Sequence, residues 1–194
     1  MPYYIYDIRN VKPQSGFCYL FDANIWLAIL DNTFNKPELR PYISFFNSII
    51  NETEVDDAEI GIPCLLLSEV INRMIKDIHY KEYSIAHPFL PGQSSYDHLK
   101  NGYRKSADYK LDLEAVCSSI RQYHRKIKFI SDNLNGYAPK DIIKKIPVHL
   151  DINDYLYSKM ALEQGLVIVT NDSDFDVENI HIYTKQYKLL NLMT

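Results

Sequence analysis

The chain reads as an α/β protein, a three-layer α/β/α arrangement around a mostly parallel sheet of four to five strands. Short unbroken apolar runs, Phe17–Phe21 and Leu166–Val169, suit strands covered on both faces. Around them lie segments whose apolar residues recur three and four apart, as in helices packed on a sheet. Both runs end in acids, FDAN after the first and TNDSD after the second. Open α/β sheets bind ligands at the carboxyl ends of their strands, so these acids stand where chemistry is usually done.

Taken in order, residues 3–8 (YYIYDI) make a short strand or a packed arm, and Pro13–Gly16 breaks it. Phe17–Phe21 delivers Asp22 to a strand end, with a helix over Ile25–Leu30. Tyr42–Ile50 carries Ile43, Phe46 and Ile50 at helical spacing, and Asn51–Glu59 is an acidic connection. Ile60–Ile62 is a short strand. Pro63 suits the first position of a helix whose stripe is Leu66, Leu67, Val70, Met74, Ile75 and Ile78, with Glu69 near its start. Pro88, Pro91 and Gly92 punctuate Tyr80–Ala107, which reads as an irregular loop. From Asp112, the stripe Leu113, Val116, Ile120, Tyr123, Ile127 and Ile130 predicts one helix, with Arg121, Arg125 and Lys128 one turn apart on another face. Asn133–Pro139 is a turn and Asp141–Ile146 a short helix. Asp151 caps a helix that runs to Gly165, with Asp154 in its first turn. Leu166–Val169 and Ile180–Thr184 are the last strands.

A length of 194 residues fits one domain, 1–194, with 81–135 as an insertion of loop plus helix. Hydrophobic residues at 46% against 24% charged exclude a disordered or fibrous chain. No apolar run approaches the roughly 20 residues of a membrane span. The start lacks a secretory pattern, so a cytoplasmic location is expected. Cys18, Cys64 and Cys117 show no ligand spacing and read as reduced core cysteines. Residues 100–145 hold eleven Lys and Arg against five Asp and Glu, a net of +6; set against the chain's −4, that leaves −10 elsewhere. A basic patch on an acidic protein suits a polyanion, and Arg121, Arg125 and Lys128 are its nucleic-acid candidates. The plainer reading is a solvated helix face. Tyr96, Tyr103, Tyr109 and Tyr123 stack on unpaired bases or pack the insertion.

Asp22, Glu69, Asp154 and Asp172 share one rim if the sheet closes as expected. Like charges about 4 Å apart repel by about 4 kcal/mol at an effective dielectric near 20, so such a group calls for a cation. Hard oxygen donors without a His or Cys set point to Mg²⁺ or Mn²⁺. A carboxylate-held ion activates water and steadies charge on a phosphoryl group.

The order FDAN (Asp22, Asn24), LLLSE (Glu69), DINDYLYSKMALEQG (Asp154) and LVIVTNDSDF (Asp172, Asp174) resembles the PIN-domain nucleases, including the VapC-type toxin ribonucleases. The resemblance covers roughly residues 17–80 and 140–185; the chain is longer than a compact toxin, with the excess in the lead and the middle. It implies an α/β/α fold and Mg²⁺- or Mn²⁺-dependent hydrolysis of phosphodiester bonds, usually in RNA. Carried over by position, Asp22, Glu69, Asp154 and Asp172 are the catalytic metal-site acids. Asn24 and Thr170 support them, and Asp174 holds a second metal or a water. A homodimer and an antitoxin protein that inhibits the site are implied partners.

Two other functions fit parts of the pattern. A Mg²⁺-dependent phosphotransfer domain needs a nucleophilic aspartate, and FDAN lacks the second acid of a DxD loop. A catalytically silent PIN-like module would bind RNA or protein without cutting. Turn and capping roles are the plain alternatives for Asp154, Asp174 and Asp176.

Overall fold

The computed structural model describes residues 2–31, 36–51, 57–132 and 137–193. Parts of the expected connection over 51–59 and turn over 133–139, namely 52–56 and 133–136, lie outside the described residues. One sheet is built from β1 (Tyr4–Asp7), β2 (Cys18–Phe21), β3 (Glu59–Pro63), β4 (Ile127–Ile130), β5 (Val167–Val169) and β6 (His181–Thr184). The order is β1-β6-β5-β2-β3-β4 and every pairing is parallel. The fold class is the expected one, with six strands among the described residues rather than four to five.

The chain divides into two compact units, residues 1–66 with 125–194, and residues 67–124. The sheet belongs to the first unit, with α1 (Ala23–Leu30), α2 (Arg40–Asn51), α7 (Pro139–Lys145), α8 (Ile152–Gln164) and α9 (Tyr187–Leu190). All three residues of β5 are buried, as are Tyr19, Leu20 and Phe21 of β2, so helices cover both faces of the sheet centre. Tyr42, Phe45, Phe46 and Ile49 of α2 fall three and four apart, and all are buried. Phe45 and Phe46 meet Tyr19 and Phe21 edge to face, with ring centroids 5.2 and 5.3 Å apart. Each such ring contributes about 1.5–3 kcal/mol on burial. Gly61 is fixed by space: a Cβ there would stand 2.8 Å from Cys18 Sγ. Gly165 ends α8 at φ +65°, where a side chain is strained.

The edge strand β4 corrects the sequence reading. The predicted helix breaks into α6 (Ala107–Arg121), a turn and β4. Ile127 and Ile130 fit a helical spacing, but the segment IKFI pairs with β3, Ile60 opposite Ile127 and Pro63 opposite Ile130. β-branched residues and the exposed Lys128 suit an edge strand. Pro63 likewise closes β3 instead of opening the following helix.

The second unit takes in most of α3 (Cys64–Arg73), π-type turns over Met74–His79, α4 (Tyr80–Ala86), a short α5 (Ser95–Asp97) and α6. The expected loop 80–107 is therefore mainly helical. Ser94 and Ser106 supply the caps: their hydroxyls accept from Asp97 N–H at 3.1 Å and Tyr109 N–H at 3.2 Å. Tyr103 is fully buried against Tyr80, Tyr83 and Tyr109. Cys64 is exposed, contrary to the expected core position, and Cys18 and Cys117 are half-buried. Among the described residues no helix is long and apolar enough to cross a membrane.

Candidate functional site

Strand order places a crevice between β2 and β5. From β2 the chain steps to β3 and β4, while from β5 it steps the other way to β6, so the connections diverge at the β2/β5 pair. Sheets of this kind bind ligands at the carboxyl side of such a divergence. Phe21 lies opposite Val169, so Asp22 and Thr170 are the next residues out on each strand. The Asp22 N–H closes the edge by donating to the Val169 carbonyl at 2.9 Å.

Asp22 is also the N-cap of α1. Its Oδ1 accepts from Asn24 N–H at 3.2 Å, and its Oδ2 accepts from the Asn24 amide at 3.5 Å and the Thr170 hydroxyl at 3.1 Å. Thr170 is fully buried, and its oxygen accepts from Asp172 N–H at 2.9 Å. Asp172 Oδ1 then accepts from Asp174 N–H at 2.8 Å, a turn that sets the loop after β5. A single hydroxyl thus joins the acid of one strand end to the acid loop of the other. Burial pushes the Asp22 carboxyl above the usual carboxylate range, against the pull of Asn24 and Thr170, and the charge of Asp172 adds to the rise. Asp22 and Asp172 are hard oxygen donors, and the hydrogen-bond donors to Asp22 are all neutral. Mg²⁺ is commonly held by one or two carboxylates together with water and phosphate, so this pair fits such an ion.

Asp154 lies half-buried in the first turn of α8, its N–H donating to Asp151 Oδ1 at 2.8 Å, so Asp151 is the expected cap. Glu69 is half-buried on α3, in the second unit. Among the described residues no group of three or more His, Cys, Asp or Glu is placed to hold a metal ion. Mutual repulsion of about 4 kcal/mol per close pair opposes a tighter gathering. Asp174 is exposed and paired with Lys188 Nζ at 2.8 Å; that ammonium holds its carboxyl below the usual range, with His149 assisting. The basic stripe is corrected. Arg121 ends α6, Arg125 follows in the turn, and Lys128 is on β4, bonded to Glu59 at 3.0 Å. The three do not share a helix face.

Sequence reasoning missed the residues that brace the rim from the far end of the chain. Gln186 donates to the Asn171 carbonyl at 2.6 Å and to its Oδ1 at 3.1 Å. The buried Tyr42 hydroxyl meets Thr184 Oγ1 at 3.3 Å and accepts from Lys185 N–H at 2.8 Å. Burial raises the Tyr42 hydroxyl's pKa, and the charge of Asp22 adds to the effect. The local sequence around 184–188 carries no motif; only the adjacency of β5 and β6 brings it here.

In its fold the chain is similar to VapBC2 of Rickettsia felis. That protein, solved bound to a DNA fragment from its promoter, matches with a TM-score of 0.48 and 14% identity over 87% of this chain and 98% of that one. PAE2754 from Pyrobaculum aerophilum matches with a TM-score of 0.44 and 18% identity, over 91% and 96% respectively. No protein-family model and no curated protein matches the sequence.

Proposed function

We propose that the protein is a metal-dependent nuclease that hydrolyses phosphodiester bonds, with RNA as substrate and Mg²⁺ or Mn²⁺ as the ion. The observation that carries this reading is the Asp22–Thr170–Asp172 link at the β2/β5 divergence, where one buried hydroxyl donates to the Asp22 carboxylate and accepts from the Asp172 N–H. Asp22 and Asp172 would hold the ion, which when bound would supply Lewis-acid stabilisation of the phosphoryl oxygens. Thr170 fixes Asp22 Oδ2 through its proton, and Asn24 N–H fixes Oδ1, so the carboxylate keeps one orientation. Asp154 and Glu69 are assigned to the same reaction by their motif match, Glu69 as ligand or as the base that orients water. An antitoxin-type protein and a homodimer are proposed partners on the same motif resemblance.

The test is incubation of labelled single-stranded RNA with the wild-type chain and with Asp172→Asn, each with Mn²⁺ and with chelator. Cleavage by the wild type in Mn²⁺ alone, lost in the variant, is expected. Equal cleavage by both proteins would overturn the assignment, and RNA retention without any cleavage would point to a binding module.

A further inference from the structure

In the first unit a cavity of about 530 Å³ lies between the α7–α8 connection, α8 and the loop that leads into β6. Leu150, Leu162, Val177 and Ile180 supply apolar wall, and Tyr3 and Tyr155 add aromatic surface. Cavities of this size, with apolar walls and a few polar groups, hold small ligands. The charged lining groups come from different stretches. Lys145, in the last turn of α7, and Lys159, on α8, are the cations, while Asp176 and Glu178 come from the loop. Neither lysine has a carboxylate partner among the described residues. Lys159 stands instead over the Tyr155 ring, 5.3 Å from its centroid, and a ring steadies an ammonium without neutralising it. His149 Nε2, 3.3 Å from the Asp176 carbonyl, joins the α7–α8 connection to the loop. Asp176 bonds the Tyr3 hydroxyl, which it pushes up to about 12, yet its Oδ1 is shut from solvent without a hydrogen-bond donor.

We propose that this cavity binds one nucleoside monophosphate whose base carries an exocyclic amino group, with Lys145 and Lys159 on the phosphate and Asp176 accepting from the amino group. An anion at one end, a flat ring between and an N–H donor at the other match the three kinds of lining group. Phosphate alone would leave the apolar wall and Asp176 unused. An amino-bearing base brings the donor that Asp176 Oδ1 lacks, once the carboxylate turns toward the cavity. Uracil offers a carbonyl oxygen at that place, an acceptor facing an acceptor. The nucleotide is free or is one unit of an RNA strand, since both carry the same groups. The site uses neither Asp22 nor Asp172 and goes beyond the metal-dependent reading.

The test is isothermal titration calorimetry on the full-length protein in chelator, with CMP, UMP, short oligocytidylate, short oligouridylate and inorganic phosphate. Circular dichroism confirms that each variant is folded. A cytidine ligand is expected to bind at least about tenfold tighter than its uridine counterpart and than phosphate. Lys159→Met should weaken that binding by about tenfold, the loss of one charged hydrogen bond. Asp176→Asn, whose amide can donate to uracil, should abolish the preference for cytidine. Binding of CMP assigns the site to the free nucleotide, and binding of oligocytidylate alone assigns it to a unit of the strand. No binding of either, equal affinity for cytidine and uridine ligands, or affinity unchanged in folded Lys159→Met would overturn the inference and leave the metal-dependent reading untouched. Equal RNA cleavage by wild type and Asp172→Asn would overturn that reading and leave this one in place.

Discussion

Two carboxylates, one in each unit, are held by different company. Asp112, in the second unit, accepts the Tyr103 hydroxyl at 2.7 Å and lies 3.3 Å from His79 Nδ1. Around it Tyr103 packs on Tyr80, Tyr83 and Tyr109, and buried His98 bonds to the His87 carbonyl at 2.7 Å and the Tyr80 hydroxyl at 3.2 Å. These are two polar clusters joined by packed tyrosine rings, and polar groups satisfied in this way fix a core. Asp22, in the first unit, is bonded by neutral donors and has another acid as its charged neighbour. Its hydrogen bonds orient the carboxylate without cancelling its charge. Asp22 therefore keeps its charge at a sheet crevice, whereas Asp112 is bound into the packing of the second unit.

Truncating the tyrosine at the centre of this packing gives the largest expected effect on stability. Tyr103→Ala removes a fully buried ring, and a loss of about 3–5 kcal/mol is expected in urea unfolding, with hydrogen exchange accelerated over 67–124. At the open pair the effect moves to activity. Asp22→Asn keeps a good helix cap, so its stability should hold while RNA cleavage falls by about 100-fold or more, roughly 3 kcal/mol of transition-state stabilisation. A variant of Asp22 that unfolds the protein, with cleavage by the remaining folded fraction unchanged, would erase the contrast. Asp112→Asn should show the reverse pattern, a loss of about 1 kcal/mol in unfolding free energy with cleavage per folded molecule unchanged.

A smaller effect at Asp22 is read by pH. Because the Asp22 carboxyl is raised in the folded chain, the folded state holds that proton more tightly than the unfolded state does. Its contribution is therefore fully present below the ordinary carboxylate range and is lost as pH rises through the raised value. Metal-free wild type should lose stability over that interval relative to Asp22→Asn, as read by urea midpoints at stepped pH. Parallel curves would show that Asp22 is not strained by its setting.

The parts of this molecule that were legible in the sequence are those where one stretch carries its own explanation. LVIVTND combines an apolar run, which has to be covered on both faces, with polar residues that end it, and FDAN does the same for β2. Asp151 and Gly165 mark the ends of α8 by capping chemistry alone. Where the signal is shared between two structures, reading failed. IKFI suits a helix turn as well as a strand, and only pairing with β3 decides it. Pro88, Pro91 and Gly92 hid the helices of 80–107, although Ser94 and Ser106 were the available capping cues. At the candidate site, Asp22, Thr170 and Asp172 could be named in advance because each sits at a strand end. Gln186 and Lys188 could not, since their roles arise from the neighbouring position of β6. The grouping of four acids was an inference from order along the chain; the link the structure displays is between Asp22 and Asp172, through Thr170.

On the proposed function, Asp22 and Asp172 hold a divalent cation. Thermal melting at neutral pH, with and without Mn²⁺, tests it on wild type and Asp22→Asn side by side. The variant is expected to melt no lower than wild type without metal, and Mn²⁺ to raise the wild-type melting temperature while leaving the variant's unchanged. A variant that melts well below wild type without metal, together with equal stabilisation of both by Mn²⁺, would contradict it.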